Sequence, residues 1–157
     1  MLARITKEFS FEMAHQLEGY DGQCRNIHGH SYRLFVTVCG TPTDDPVSPK
    51  CGMVMDFTDL KRIVNEHIID KLEHALMLRS GCKVDEALRC SHTKIVRVAY
   101  QPTCENMVIE MAKILAEQLP KSVTLHSLRL HETQTSFAEW YAADNLLLQQ
   151  SDKSTKF

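Results

Sequence analysis

Two stretches of alternating hydrophobic and polar residues near the N-terminus constrain the fold most. Residues 2–15 and 31–39 alternate with a period of two, the period at which the side chains of a β-strand point to opposite faces. The second stretch, Ser-Tyr-Arg-Leu-Phe-Val-Thr-Val-Cys, is rich in β-branched and aromatic residues, which favour strands. We therefore predict two strands that can lie beside each other in an antiparallel sheet.

The connection between these strands carries reactive side chains. Residues 24–30, Cys-Arg-Asn-Ile-His-Gly-His, place one thiol and two imidazoles just before the second strand. If that strand extends back, His28 and His30 point to one face, because they are two residues apart. His15 ends the first strand on its odd-numbered face, so antiparallel pairing can bring three imidazoles to one point. Three neutral imidazoles with an open fourth position are typical of a catalytic zinc site rather than a closed structural one.

Each of these residues also has a simpler interpretation. A single histidine at a strand end, such as His15, is more often a hydrogen-bonded surface or core residue than a metal ligand. Cys24 is equally compatible with a small buried hydrophobic residue. The joint arrangement favours a metal site, and Gly29 supports it, since a glycine inside a strand often marks the close approach of a backbone or ligand.

Composition indicates one domain and argues against several classes of function. The chain has 157 residues, enough for one domain with a core but short for two. A net charge of -2 argues against a nucleic-acid partner, and no apolar run approaches the ~20 residues of a membrane span. The N-terminus lacks the apolar core of a secretory signal. The six cysteines show no Cys-x-x-Cys spacing, so we expect reduced thiols and a cytoplasmic protein.

Two helices and two further strands are predicted along the rest of the chain. Asp56 is a suitable N-cap for a helix whose apolar residues recur at helical spacing down to His74. A second helix opens at Thr103, and strands are predicted over residues 122–133 and 136–142. The expected fold is one α+β domain, in which an antiparallel four-stranded sheet carries two helices on one face.

The segment 79–101 is harder to interpret. Its residues 94–100 have strand character, so an extra hairpin or an extended edge strand is expected there. We interpret residues 1–145 as a single domain that contains this insertion, and residues 146–157 as a polar C-terminal tail.

Two more polar clusters bear on chemistry. Glu73 stands beside His74 at the predicted helix end, an arrangement that can orient and tune a proton-transfer group. Taken in isolation, a solvated helix terminus is the favoured interpretation of this pair. Glu132 ends a strand that is apolar at Leu128 and Leu130, so its carboxylate is either exposed or held for a partner with hydrogen-bond donors.

Six motifs, in order along the chain, resemble the 6-pyruvoyl-tetrahydropterin synthase family, which includes the related 6-carboxytetrahydropterin synthases. The resemblance extends to about Ala143 and implies the tunnelling fold, in which the sheets of several subunits join into a barrel. Such proteins are usually homohexamers, dimers of trimers, with active sites at subunit contacts. The motifs are Phe11-Glu-Met-Ala-His15, Cys24-x-x-x-His28-Gly-His30-Ser-Tyr, Gly52-Met-Val-Met-Asp-Phe57, Leu72-Glu-His74, Pro102-Thr-Cys-Glu-Asn106 and His131-Glu-Thr133.

The resemblance also implies a role for individual residues. In the family, three histidines hold Zn²⁺, a cysteine is the general base, a carboxylate and a histidine form a second proton-transfer unit, and further residues bind the pterin. Carried onto this chain, these are His15, His28 and His30 for zinc, Cys24 as the base, Glu73 and His74 as the second unit, and Glu132, Thr103 and Glu105 for the substrate.

The position of the cysteine separates two branches of the family. Three residues stand between Cys24 and His28, which resembles the carboxytetrahydropterin synthases, whereas the pyruvoyl branch usually has a longer gap. The resemblance therefore implies the queuosine-pathway lyase, which converts 7,8-dihydroneopterin triphosphate to 6-carboxy-5,6,7,8-tetrahydropterin, acetaldehyde and triphosphate. Two alternatives stay open: a 6-pyruvoyl-tetrahydropterin synthase, which eliminates triphosphate without losing the two-carbon unit, and a zinc-stabilised pterin-binding protein without catalysis.

The chain departs from the family pattern around the second proton-transfer unit. The family usually has Asp where this chain has Glu73, and Leu-Asn where it has Met77-Leu78. Glu keeps the charge but adds a methylene, so we expect its contact with His74 to be displaced by about an ångström, enough to affect proton transfer.

Overall fold

The computed structural model describes residues 1–88 and 94–145, and six strands form one sheet within them in the order β4-β3-β1-β2-β5-β6. The sheet is mixed, because β3 runs parallel to both of its neighbours while the other adjacent pairs are antiparallel. The strands are β1 (Ala3–His15), β2 (His28–Gly40), β3 (Ala75–Arg79), β4 (Ile95–Val98), β5 (Val123–His131) and β6 (Phe137–Tyr141).

The two main helical segments begin at the predicted N-caps. The Asp56 side chain accepts a hydrogen bond from the Thr58 N–H, and the Thr103 side chain accepts one from the Asn106 N–H. The first segment passes through a π-helical turn, Asn65–Ile69. None of the described helices is long and apolar enough to cross a membrane. The α-helices are α1 (Phe57–Val64), α2 (Asp70–Leu72), α3 (Lys83–Ala87) and α4 (Cys104–Gln118).

Strands β1 and β2 form the centre of the sheet. They pair along their whole length, from Ala3 opposite Gly40 to His15 opposite His28. Directly opposite residues of antiparallel strands point to the same face, so the odd residues of β1 share a face with the even residues of β2. Phe11 and Tyr32, on that face, are buried and stack with ring centroids 5.0 Å apart. They belong to one core with residues of α1 and α4.

The α+β class is confirmed, but the predicted antiparallel sheet of four strands is wrong, because β3 and β4 pair in parallel and extend the sheet to six strands. Four of the five residues of β3 are buried, so the sequence there lacks the alternation of a half-exposed strand. The helix predicted down to His74 ends at Leu72. The apolar residues that follow belong to strand β3 instead.

The described part of the predicted insertion contains a helix and a strand. An edge strand, one of the two expectations for residues 94–100, is present as β4, which pairs parallel to β3. No helix was predicted where α3 forms. Residues 89–93 of the insertion and the predicted tail, 146–157, lie outside the described residues.

Candidate metal and substrate site

Three histidines meet where β1 ends and β2 begins. His15 and His28 are directly opposite each other in the strand register, and His30 is opposite Met13. One ligand nitrogen of each ring lies within 4.8 Å of the other two, and His15 is only 1% exposed. The structure therefore brings together the three imidazoles that the strand pattern predicts.

Backbone carbonyls orient two of the three rings. His15 Nδ1 lies 2.7 Å from the Pro102 oxygen, and His28 Nδ1 lies 2.8 Å from the Asn26 oxygen. Because a carbonyl oxygen only accepts, each Nδ1 carries a proton, and in the neutral ring the Nε2 atom then presents a lone pair. These two Nε2 atoms are 3.1 Å apart. Metal-ligating histidines are oriented by the same kind of bond from their other ring nitrogen.

His30 supplies a third nitrogen, which lacks a hydrogen-bond partner in the described part of the chain. Its Nε2 is buried and makes no hydrogen bond within residues 1–88 and 94–145, a condition that costs about 1–3 kcal/mol for a polar atom. Burial lowers the pKa of both His15 and His30, which keeps the rings in the neutral form that binds metals. The donor set therefore fits Zn²⁺, which takes imidazole nitrogens in tetrahedral geometry.

Glu132 lies beside the histidine cluster although it is remote in sequence. Its Oε1 is 3.5 Å from His15 Nε2 and 3.9 Å from His30 Nε2. The Tyr32 hydroxyl donates to the same oxygen at 3.5 Å. The Glu132 N–H donates to the Ser136 oxygen at 3.1 Å, which fixes its backbone in the turn between β5 and β6. The carboxylate is thus held at the cluster while its side chain stays one-quarter exposed.

Tyr32 is a site residue that the sequence interpretation missed. It is fully buried, and its ring lies edge-on to His15 and His30, with centroids 6.2 and 5.6 Å away. Burial, and after it the Glu132 carboxylate, raises the pKa of Tyr32, so the hydroxyl remains a donor. Tyr32 could have been predicted from its position two residues after His30 on a strand, since that spacing puts both side chains on one face.

Cys24 is held close to the end of β1. It lies in the 3₁₀ turn Gln23–Arg25, and its carbonyl accepts a hydrogen bond from the Leu17 N–H at 3.0 Å. The thiol is free and half-buried.

The Pro102–Asn106 motif approaches the cluster through its backbone. The Pro102 carbonyl binds His15, as described above, and Thr103 caps α4 immediately after it. Glu105 is exposed in the first turn of that helix. Thr103 is therefore next to the cluster, whereas the Glu105 side chain faces solvent in the single chain.

Within residues 1–88 and 94–145, the side chains of Glu73 and His74 contact each other and make no hydrogen bond or ion pair with the three histidines. Glu73 Oε1 lies 3.1 Å from His74 Nε2, and Glu73 Oε2 accepts from the Glu12 N–H at 3.2 Å. The His74 N–H donates to the Glu12 oxygen at 2.8 Å, which holds His74 at a φ of 54°. His74 and His30 line one cleft of about 360 Å³, but the His74 imidazole is 81% exposed, and Glu73 is its partner in the described part of the chain.

Comparison with known proteins agrees with this geometry. The family model described as 6-pyruvoyl tetrahydropterin synthase matches residues 4–143. The 6-carboxy-5,6,7,8-tetrahydropterin synthase of Haemophilus influenzae is 37% identical over 143 residues, which cover 87% of this chain and 97% of the relative.

Solved structures show the same fold. Protein WS1659 from Wolinella succinogenes, described as uncharacterized, superposes with a TM-score of 0.72 at 20% identity, covering 90% of this chain and 99% of that one. The 6-pyruvoyl tetrahydropterin synthase of Caenorhabditis elegans gives 0.65 at 23% identity, covering 90% and 96%. The fold is the tunnelling fold, and the chain belongs to the 6-pyruvoyl tetrahydropterin synthase family.

Proposed function

We propose that this chain is a zinc-dependent lyase that converts 7,8-dihydroneopterin triphosphate to 6-carboxy-5,6,7,8-tetrahydropterin, acetaldehyde and triphosphate, in queuosine and 7-deazapurine biosynthesis. The chain is an enzyme of the 6-carboxytetrahydropterin synthase type, as its family and its identity to the Haemophilus relative indicate. The observation that carries the zinc proposal is the convergence of three imidazole nitrogens, one of which is buried without a hydrogen-bond partner among the described residues.

The residues in and around the cluster would have different roles. His15, His28 and His30 would hold zinc, which as a Lewis acid would bind the hydroxyls of the substrate side chain and acidify adjacent positions. Cys24 would take a proton from the substrate. The Glu132 carboxylate would accept hydrogen bonds from two N–H groups of the pterin, in the way that carboxylates accept two hydrogen bonds from a guanidinium.

We further propose that the active protein is a homohexamer in which Glu73 and His74 complete the site of a neighbouring subunit. The exposure of the His74 imidazole supports this, since a proton-transfer group must meet its substrate. Among the described residues the sheet also has open edges. Strand β6 is the last strand on its side, and β1 pairs with β3 only through Met13–His15. An unpaired strand edge is a template for pairing with another chain.

The proposed compartment is the cytoplasm. The five described cysteines are all free, which suits a reducing environment.

Thr103 and Glu105 would contact the substrate from the start of α4, and Glu105 would do so only once a neighbouring subunit covers its exposed position.

Product identification tests the proposed reaction. Zinc-loaded protein is incubated with 7,8-dihydroneopterin triphosphate, and the products are identified by mass spectrometry. The proposal predicts carboxytetrahydropterin together with acetaldehyde. Formation of 6-pyruvoyl-tetrahydropterin without acetaldehyde would place the chain in the pyruvoyl branch, and pterin binding without turnover would make it a binding protein.

A further inference from the structure

The position of Glu132 gives its carboxylate a second candidate partner besides the proposed pterin. Oε1 lies 3.5 Å from His15 Nε2 and 3.9 Å from His30 Nε2. Two ligand atoms of a tetrahedral zinc site, each about 2.0 Å from the metal, are about 3.3 Å apart. The distance from the carboxylate oxygen to His15 Nε2 is therefore close to the separation of two ligands of one ion, and the distance to His30 Nε2 is somewhat longer.

The lone pairs and the carboxylate in this arrangement would be stabilised by a cation. His15 Nε2 presents a lone pair, because its Nδ1 proton is bound to the Pro102 carbonyl. That lone pair faces both the Glu132 carboxylate and His28 Nε2, which is 3.1 Å away. Acceptors facing acceptors repel each other, whereas a divalent cation among them attracts all of them.

Protein donors satisfy Glu132 only weakly. Within the described ranges, its hydroxyl donor is Tyr32 at 3.5 Å, near the outer limit of a hydrogen bond. The backbone of Glu132 is fixed by the turn to Ser136, but the side chain is one-quarter exposed. The carboxylate can therefore rotate toward a ligand without moving the strand.

We propose that Glu132 is a displaceable fourth ligand of the bound metal, which leaves the metal when the carboxylate pairs with a pterin. The inference rests on the proposed function, because it assumes that the histidine cluster holds a divalent cation and that the protein binds pterins. One carboxylate–metal bond breaks and hydrogen bonds to the pterin N–H groups form, with no change in protons or electrons. Substrate binding would thereby open the coordination position that the substrate hydroxyls need.

Cobalt(II) in place of zinc tests the resting ligand set, because its visible spectrum reports coordination number and geometry. The variant Glu132→Gln is expected to change the cobalt spectrum and to lower cobalt affinity at least tenfold, about the smallest loss seen for removed partners of metal ligands. The control Glu139→Gln removes a carboxylate on the neighbouring strand β6, held by Arg129 at 2.7 Å, and should change neither. Equal spectra and affinities for wild type and Glu132→Gln would overturn the inference.

Pterin itself, which lacks the side-chain hydroxyls that could bind the metal, tests displacement. At a saturating concentration it should shift the cobalt spectrum of the wild type toward that of Glu132→Gln and leave the variant's spectrum unchanged. Circular dichroism checks the fold, and Glu132→Ala serves as a second variant with the same expectation. An unchanged wild-type spectrum at saturating pterin would contradict displacement.

Turnover of dihydroneopterin triphosphate by the zinc-loaded wild type is measured separately. Normal turnover with identical cobalt spectra for wild type and Glu132→Gln would reject the fourth ligand and keep the lyase. Different spectra without turnover would reject the lyase and keep the ligand.

Discussion

Replacement of Glu73 by aspartate tests whether the longer side chain of this chain is fitted to its surroundings. The Glu73 carboxylate spans two partners, the Glu12 N–H at 3.2 Å and His74 Nε2 at 3.1 Å. Aspartate is one methylene shorter and, with the turn still held by the bond between the His74 N–H and the Glu12 oxygen, it cannot reach both. A lost hydrogen bond at a partly exposed carboxylate corresponds to about 1 kcal/mol. If His74 is oriented by that bond, kcat should fall about fivefold.

Steady-state kinetics on dihydroneopterin triphosphate measure this effect. Glu73→Asp should lower kcat while KM stays within about twofold, because in the proposed function the pair supplies a proton-transfer group and does not bind the pterin. Zinc content should not change. Glu66→Asp, on the preceding helical segment at an exposed position, is the matched control and should behave as wild type. A kcat for Glu73→Asp equal to that of wild type would refute the orienting role of the second contact.

Three further outcomes are expected. Cys24→Ala should keep zinc and fold but lose turnover at least ~10²-fold, the lower range for a positioned proton-transfer group; near-normal turnover would move the base elsewhere. Glu132→Gln should weaken pterin binding roughly ten- to a hundredfold by calorimetry, and an equal loss in Glu139→Gln would contradict the anchor. Burial lowers the pKa of His15 and His30. Below about pH 6.5 these two histidines of the metal-free protein should therefore take up protons in the unfolded state but not in the folded state, so the free energy of unfolding should decrease as the pH falls. Urea unfolding at several pH values measures this, and a constant free energy would contradict it.

Local patterns predicted the parts of the fold that follow strand and helix periods. The alternation in residues 2–15 and 31–39 corresponds to β1 and β2, and the N-caps Asp56 and Thr103 are present with the expected hydrogen bonds. The convergence of the histidines also followed, because His15 and the His-x-His pair adjoin a strand connection. Each of these features depends on neighbouring residues or on a short register.

Features that depend on burial from both sides or on distant contacts did not follow from the sequence. The buried strand Ala75–Arg79 lacks alternation, so no strand was predicted there. Glu132 could be placed at a strand end, but its contact with His15 depends on the pairing of β2 with β5. The hydrogen bond from the Glu12 N–H to the Glu73 carboxylate depends on the parallel pairing of β1 with β3.

Metal analysis of the purified protein tests the central claim, the zinc site formed by three imidazoles, most directly. Elemental analysis should find about one zinc per chain in the wild type. The variants His28→Ala and His30→Ala should fold, as judged by circular dichroism, and lose the metal. His126→Ala, which removes a half-buried histidine on β5 outside the cluster, should keep it. Full zinc content in both His28→Ala and His30→Ala would contradict the site.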